Sequence, residues 1–181
     1  MAVEQRDYVI RRASTSDAAA LAEVHETTWR ETYVGLLWEQ MLNALTTEAR
    51  TEAWARMLEG EAGKLATTYV AERPDGGFAA FASCGAQRDP GFANSGYPGE
   101  FTAVYVLKKD QRRGLGTRLM TAMMADRTDR GLTGYTLWVP RENIPARSLY
   151  EQLGGKMLGK REVARDPGGL VEVAYGWPRP D

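Results

Sequence analysis

The sequence contains few of the residues from which metal sites, disulfide scaffolds and membrane spans are built. Its 181 residues include one cysteine and one histidine, so an internal disulfide is impossible and a His/Cys metal site is not expected. No apolar run approaches the roughly 20 residues that span a bilayer. The first residues also lack the apolar core of a secretion signal. These features predict a cytoplasmic protein with no metal and no membrane partner.

The charge balance gives no reason to expect a nucleic-acid partner. Lys and Arg total 23 and Asp and Glu total 24, for a formal net charge of −1, so no global field recruits a polyanion. The basic residues at 108–113 are local, which suits one polyanionic ligand better than a duplex. The interleaved aromatic and basic residues of RNA-binding domains are missing. We therefore expect a single domain over 1–181 that does not bind nucleic acid.

The most informative part of the chain is a predicted strand, turn and helix at residues 100–129. Residues 101–107 form an apolar, β-branched and aromatic run that predicts a buried strand. A basic turn at 108–113 and Gly114-Leu115-Gly116 follow, and the next apolar residues have helical spacing. The first amides of a helix lack partners, and its dipole favours an anion there. Because glycines let a phosphate approach those amides, the stretch predicts a pyrophosphate-binding turn.

Basic side chains near this turn could add charge-assisted contacts, namely those of Arg112, Arg113 and Arg118. The dinucleotide fingerprint is excluded because Leu119 stands where its third glycine belongs, and no P-loop pattern occurs. Residues 111–116, Gln-Arg-Arg-Gly-Leu-Gly, instead match the pattern Q/R-x-x-G-x-G/A. Here the sequence resembles the GCN5-related N-acetyltransferases, in which this turn holds the pyrophosphate of acetyl-coenzyme A.

A second segment, residues 143–155, resembles the family pattern Asn-x-x-A-x-x-x-Y-x-x-x-G-F, with Gly155 in place of the final Phe. Asn143 is also expected to cap a helix, with Pro145 in its first turn. The resemblance implies that Asn143 contacts coenzyme A. It also implies that the Tyr150 hydroxyl returns a proton to the departing thiolate, whose pKa is roughly 8 to 9. An aromatic packing role for Tyr150 is the alternative.

The resemblance extends from residue 8 to about 177 and implies an α/β (α+β) fold. The expected fold is a mixed, mostly antiparallel central sheet of about seven strands, with helices on both faces. Turn and periodicity signals predict strands at 8–11, 65–72, 78–85, 101–107, 135–139, 157–163 and 170–177. Helices are predicted from about Ala18, from near Trp29 or Tyr33, at 47–58, after Gly116 and from Asn143. A long loop is expected at 87–99, and an exposed tail from Trp177.

The resemblance also implies where acetyl-coenzyme A binds. A bulge would splay the strand before the turn from its neighbour, and the pantetheine arm would lie in the gap. The residues expected to hold acetyl-coenzyme A are Gln111, Arg112, Arg113, Gly114, Leu115, Gly116, Thr117, Asn143 and Arg147, together with the backbones of Tyr105, Val106 and Leu107. Glu100 stands where many family members keep a general base, acting directly or through water. The alternative for Glu100 is a solvated charge at a strand end.

The acceptor side carries weaker signals. His25, Trp29 and Tyr33 recur at four-residue spacing on one helix face, and Tyr97 belongs to the 87–99 loop. All four are candidate acceptor-binding residues, although such a stripe is more often core, and we favour packing. Cys84 lies in a predicted strand with no recognisable base nearby, which favours direct transfer over a covalent acetyl-enzyme.

The sequence therefore predicts direct acetyl transfer from acetyl-coenzyme A to a primary amine of a small molecule or a peptide terminus. One alternative is a protein lysine or N-terminal acetyltransferase. Another is a non-catalytic sensor of acyl-coenzyme A, against which the joint presence of Glu100 and Tyr150 counts. By analogy with the family, the hairpin at 157–177 could mediate a homodimer.

Overall fold

The structure, a computed structural model, describes residues 7–35, 46–60, 66–128, 133–163 and 170–178. Its strands are β1 Val9–Arg12, β2 Thr67–Glu72, β3 Phe78–Ala86, β4 Gly99–Val106, β5 Tyr135–Pro140, β6 Lys156–Val163 and β7 Leu170–Trp177. They form one sheet in the order β1-β2-β3-β4-β5-β7-β6. Among the strands of the described residues, only β4 and β5 pair in parallel. The predicted mixed, mostly antiparallel sheet of seven strands is confirmed.

Helices cover both faces of the sheet. They are α1 Ala18–Tyr33, α2 Thr47–Glu59, α3 Pro90–Asn94, α4 Leu115–Thr128 and α5 Ile144–Gln152, with 3-10 turns at Thr15–Asp17 and Lys108–Asp110. One apolar core joins α1 and α2 to the sheet, and a second joins α4 and α5 to its other face. In β4 the side chains alternate between these two cores, as strand geometry requires: Val104 and Val106 pack in the second, and Ala103 and Tyr105 in the first.

Three sequence-based expectations about these elements need correction. Helix α1 continues unbroken through Trp29 to Tyr33, so the helix start predicted near Trp29 is wrong; residues 36–45 lie outside the described residues. The 87–99 loop contains helix α3, whose first amides at Gly91 and Phe92 donate to the Asp89 carboxylate. Trp177 is buried at the end of β7, and its Nε1 donates to the Leu153 carbonyl at 2.9 Å. It is therefore no part of an exposed tail.

The sheet opens between β4 and β5. In β4, Thr102 is an extra residue, because Ser83 pairs with Ala103 while the next residue, Cys84, pairs with Phe101. Such a bulge bends and twists its strand. The parallel pairing of β4 with β5 ends at Glu100, opposite Thr136. The expected bulge and splayed strands are both present, and a cleft results.

Within the described part of the chain, no helix is both long and apolar enough to cross a membrane.

Candidate active site

A cavity of about 540 Å³ occupies the opening between β4 and β5. It is lined by the end of α1, by β4, by the turn before α4, by β5 and by α5. The predicted site residues that line it are Trp29, Tyr33, Glu100, Tyr105, Val106, Gln111, Arg112, Gly114, Leu115, Gly116, Thr117, Asn143 and Tyr150. Five others, all within the described residues, are not on its wall: His25, Tyr97, Leu107, Arg113 and Arg147.

The turn that leads into α4 has the backbone shape of an anion site. Arg112 has a φ of 63° and Gly114 a φ of 71°, and left-handed residues of this kind turn successive amides towards one side. The Gln111 side chain donates to the Val106 carbonyl at 3.2 Å, which ties the turn to the end of β4. These features fit the predicted pyrophosphate-binding turn.

Gly116 has a steric role that the sequence did not reveal. A Cβ at this position would lie 2.7 Å from Cδ2 of Leu149, well inside van der Waals contact. The glycine therefore allows the first turn of α4 to approach α5, which carries Asn143 at its N-cap and Tyr150 within it. Gly116 therefore leaves room for the Leu149 side chain of α5 beside the first turn of α4.

Beneath the turn lies a buried polar network that sequence reasoning missed. The Asp110 carboxylate accepts from the Tyr8 hydroxyl at 2.8 Å and forms an ion pair with Arg73. Burial raises the pKa of Asp110, but the hydrogen bonds from Arg73 and Tyr8 outweigh it and hold that pKa below its ordinary value. These residues are 37 and 102 positions from Asp110, so no local pattern could have indicated the network.

Two arginines expected to contact acetyl-coenzyme A are engaged elsewhere. Arg118 donates to the Tyr8 carbonyl at 2.9 Å. Arg147 donates to the Tyr175 hydroxyl at 3.2 Å and to the Arg141 carbonyl at 3.0 Å. Both guanidiniums therefore brace the protein's own elements in this structure, and Arg112 is the turn arginine on the cavity wall.

Tyr150 is a buried residue that lines the cavity. Its ring packs against Tyr175 and Trp177, at centroid distances of 5.9 and 6.0 Å. Burial, with a smaller effect from Tyr33, raises the pKa of the Tyr150 hydroxyl, which therefore stays protonated at neutral pH. Asn143 caps α5, since its Oδ1 accepts from the Ala146 amide at 3.3 Å. Tyr150 is thus a packing residue of the cavity wall whose hydroxyl stays protonated.

Glu100 lies at the end of the cavity where β4 meets β5, and its carboxylate is covered by Arg88. Arg88 donates from Nη2 to Oε1 at 2.6 Å and from Nε to Oε2 at 2.9 Å. The Glu100 side chain is 5% exposed and that of Arg88 is 70% exposed. Glu100 is therefore a buried, paired carboxylate rather than the solvated charge considered as the alternative.

The aromatic residues of α1 divide into two groups. His25 packs among Phe81, Tyr105 and Trp54, with ring centroids 5.3 to 5.8 Å away. Burial, helped by the charge of Arg50, lowers the pKa of His25 to about 4. This environment agrees with packing. Trp29 and Tyr33 instead stack on each other at 4.3 Å and line the cavity.

Two further candidates lie away from the cavity wall. Leu107 is buried in the core beneath α1 and α2. Tyr97 packs beside Phe92, at a centroid distance of 6.3 Å, and against Gly176, where an added Cβ would come within 2.9 Å of the tyrosine ring. The Tyr97 side chain is therefore a packing residue beside β7, and the Leu107 backbone amide, which was expected to contact the cofactor, donates to the Ala79 carbonyl at 2.9 Å.

Comparisons with known proteins agree with this geometry. The model of the FR47-like protein family matches residues 91–164. An uncharacterized N-acetyltransferase of Bacillus subtilis (strain 168), YuaI, is 29% identical over 170 residues, which are 93% of this chain and 92% of that protein.

Solved structures share the fold. The PaiA N-acetyltransferase of Thermoplasma acidophilum, in complex with coenzyme A, has a TM-score of 0.65 at 18% identity, covering 92% of this chain and 97% of its own. The yncA protein of Salmonella typhimurium, with acetyl-CoA, has a TM-score of 0.72 at 22% identity and coverages of 96% and 95%. An N-acetyltransferase of Staphylococcus aureus Mu50 reaches 0.75 at 17% identity, with coverages of 94% and 98%.

Proposed function

We propose an acetyl-transfer function, from the premise that this chain belongs to the GCN5-related N-acetyltransferase family. The protein would transfer the acetyl group of acetyl-coenzyme A to a primary amine. The observation that carries this proposal is the opening of the sheet after Glu100. The resulting cavity extends from the turn that leads into α4 to Tyr150.

The residues present fit acetyl-coenzyme A. The pyrophosphate would bind the amides from Arg112 to Gly116, at the N-terminus of α4. The pantetheine arm would pair with β4 beyond Glu100, where that edge has no strand partner among the described residues. When bound, acetyl-coenzyme A supplies an acetyl group activated as a thioester.

The chain's own residues would supply proton transfer and polarisation. Glu100 would accept a proton from the acceptor ammonium, directly or through water, once Arg88 moves aside. A β4 amide near Val106 would polarise the carbonyl under attack. Tyr150, held protonated by burial, would donate to the departing sulfur.

Direct transfer to the acceptor fits better than an acetyl-cysteine intermediate. Cys84 is 1% exposed within β3 and does not line the cavity, and a buried cysteine is usually inert. The acceptor would be a small molecule or a peptide terminus, in the cytoplasm, with no nucleic-acid or membrane partner. A homodimer through the edge strand β6, where Met157 is exposed, stays a prediction.

The test is thiol release from acetyl-coenzyme A with amines, polyamines, amino acids and peptides. Tyr150→Phe should bind acetyl-coenzyme A normally and lose roughly 100-fold or more in kcat, the usual scale for a general acid. Glu100→Gln should lose rate most strongly below the pKa of the acceptor amine. Tyr175→Phe is the matched control, because it removes a hydroxyl from the same aromatic cluster at a position off the cavity wall.

A non-catalytic acyl-coenzyme A sensor is the second candidate, favoured by the ion pair that occupies both oxygens of Glu100. Tight acetyl-coenzyme A binding without turnover on any amine would support the sensor. Turnover that survives both Glu100→Gln and Tyr150→Phe would preserve the enzyme and refute these residue roles.

A further inference from the structure

Two arginine–glutamate pairs on the cavity wall share one arrangement. In the first, Arg88 covers Glu100. In the second, Arg161 contacts Glu172 with Nε at 2.8 Å and Nη2 at 2.7 Å. The glutamate side chains are 5% and 15% exposed, whereas the arginine side chains are 70% and 48% exposed. The cavity therefore presents positive charge outwards, with the compensating negative charge beneath it.

In both pairs the glutamate contacts the same edge of its arginine's guanidinium group. Arg88 and Arg161 each use Nε and Nη2. Among the described residues, neither Nη1 has a hydrogen-bond acceptor. A guanidinium carries five N–H donors in a planar fork, so each arginine keeps its Nη1–Nη2 edge for a second carboxylate.

Arg161 is also held in place by an aromatic ring. Its guanidinium carbon lies 4.1 Å from the centroid of the Trp138 ring, and Phe92 packs on Trp138 at 5.8 Å. Pro140 and Arg161 both pair with Glu172, so their side chains lie on the same face of the sheet. Trp138 is two residues before Pro140 in β5 and therefore lies on that face too, because strand side chains alternate. The opposite face is the one where Leu137 contacts the core of α4 and α5. A fixed guanidinium loses little entropy on binding a ligand.

We propose that the acceptor amine carries a carboxylate, and that Arg161 binds it through its free Nη1–Nη2 edge. This inference rests on the acetyltransferase function proposed above and names its substrate class: a free amino acid, or a peptide with an acidic group near its amine. Arg88 provides a second positive charge at the cavity after it has moved aside from Glu100. Polyamines fit poorly, because they bring positive charge against two exposed guanidiniums.

The experiment compares matched acceptors in thiol release, and in calorimetric titration into the enzyme saturated with coenzyme A. Each set contains an amino acid, its amide and its decarboxylated amine, built on phenylalanine, leucine and methionine. The dipeptide Ala-Asp and its diamide separate a peptide carboxylate from that of a free amino acid. Spermidine represents the polyamines.

Arg161→Gln should raise KM and the dissociation constant for the carboxylate-bearing acceptor by roughly 10- to 100-fold, the range for lost hydrogen bonds to a charged group. It should leave the decarboxylated amine unchanged. Arg161→Lys keeps the positive charge but lacks the planar pair of N–H donors. Its KM and dissociation constant for the carboxylate-bearing acceptor should therefore lie between those of the wild type and of Arg161→Gln. Arg56→Gln is the control, because Arg56 forms an exposed ion pair with Glu52 on α2, away from the cavity.

The outcomes separate this inference from the function on which it rests. Acetylation of amides, decarboxylated amines or spermidine as efficiently as of the acids would overturn the carboxylate class and keep the acetyltransferase. An equal effect of Arg161→Gln on acids and decarboxylated amines would also overturn it. Coenzyme A binding without turnover on any acceptor would overturn both.

Discussion

Replacing Asp110 with asparagine removes one charge from the buried network beneath the phosphate-type turn while keeping the shape of the side chain. The carboxylate accepts from Tyr8 and pairs with Arg73, and Gln111 and Arg112 follow it directly. An asparagine can still accept from Tyr8, but it leaves the Arg73 guanidinium without its paired carboxylate, and only the weaker effect of the Asp75 charge remains.

The size of the effect follows from burial. The Asp110 side chain is 7% exposed and that of Arg73 is 14% exposed, so the pair is largely withdrawn from water. Removing one partner of a buried pair costs about 3–5 kcal/mol. Because Arg73 keeps some access to water, we expect a loss of about 3 kcal/mol in the free energy of unfolding. Tyr8→Phe removes only one hydrogen bond to a charged acceptor and should cost about 1.5 kcal/mol.

Urea unfolding followed by tryptophan fluorescence measures both losses, provided the slope m is unchanged. The pKa of Asp110 is lower in the folded protein than its ordinary 3.8. The ion pair therefore contributes its full share to the free energy of unfolding when the pH is above the ordinary pKa. This contribution is lost as the pH falls through the lower pKa of the folded protein. The difference between wild type and Asp110→Asn should shrink over that range. A loss below about 1 kcal/mol at pH 7, or a difference that does not shrink in acid, would refute the reasoning. The KM for acetyl-coenzyme A should rise in parallel, since the network orients the turn.

Three further predictions concern packing and pH. Gly116→Ala places a Cβ 2.7 Å from the Leu149 side chain and should destabilise the fold by about 1–2 kcal/mol. In the double variant with Leu149→Ala, the loss in the free energy of unfolding measured in urea should be smaller than the sum of the two single losses. Strictly additive losses would contradict the contact. Gly134→Ala combines a φ of 93° with a Cβ 2.3 Å from the Gly96 carbonyl oxygen, so we expect a loss of about 3 kcal/mol; an unchanged Tm would contradict this strain. The pKa of His25 falls from 6.5 to about 4 on folding, so the unfolded state binds its proton first and stability falls as pH drops through that interval. His25→Leu should abolish this part of the pH dependence, measured as Tm between pH 6.5 and 5, and an identical dependence in both proteins would contradict it.

Several features of the site could be predicted from local sequence because they depend on neighbouring residues alone. The run at 101–107, followed by Gly114 and Gly116, predicted a strand, a turn and a helix, and the structure has them at Gly99–Val106 and Leu115–Thr128. The Asn143 cap was predicted from residue type and the following proline, and its hydrogen bond to Ala146 is present. The helix start predicted near Trp29 was wrong: α1 continues to Tyr33, and the rings of Trp29 and Tyr33 stack on each other at 4.3 Å.

The side-chain partners within the site could not be predicted in this way. Arg118 was expected to contact phosphate and Arg147 to contact acetyl-coenzyme A, yet they donate to Tyr8, Tyr175 and Arg141. A long arginine side chain reaches any acceptor within several ångströms. Its partner is therefore decided by which distant segments the fold brings near.

By itself, the sequence determined the alternation of strands and helices, the position of the glycine-containing turn before α4 and the resemblance that links both signatures to acetyl transfer. These depend on hydrophobic period, backbone freedom at glycine and the unpaired amides of a helix start. Only the tertiary structure decided that Arg88 covers Glu100, that Arg73 and Tyr8 support Asp110, and that Arg161 lies on Trp138 beside the cavity. Those contacts join residues on different strands and turns, and such neighbours are set by sheet order and register rather than by spacing along the chain.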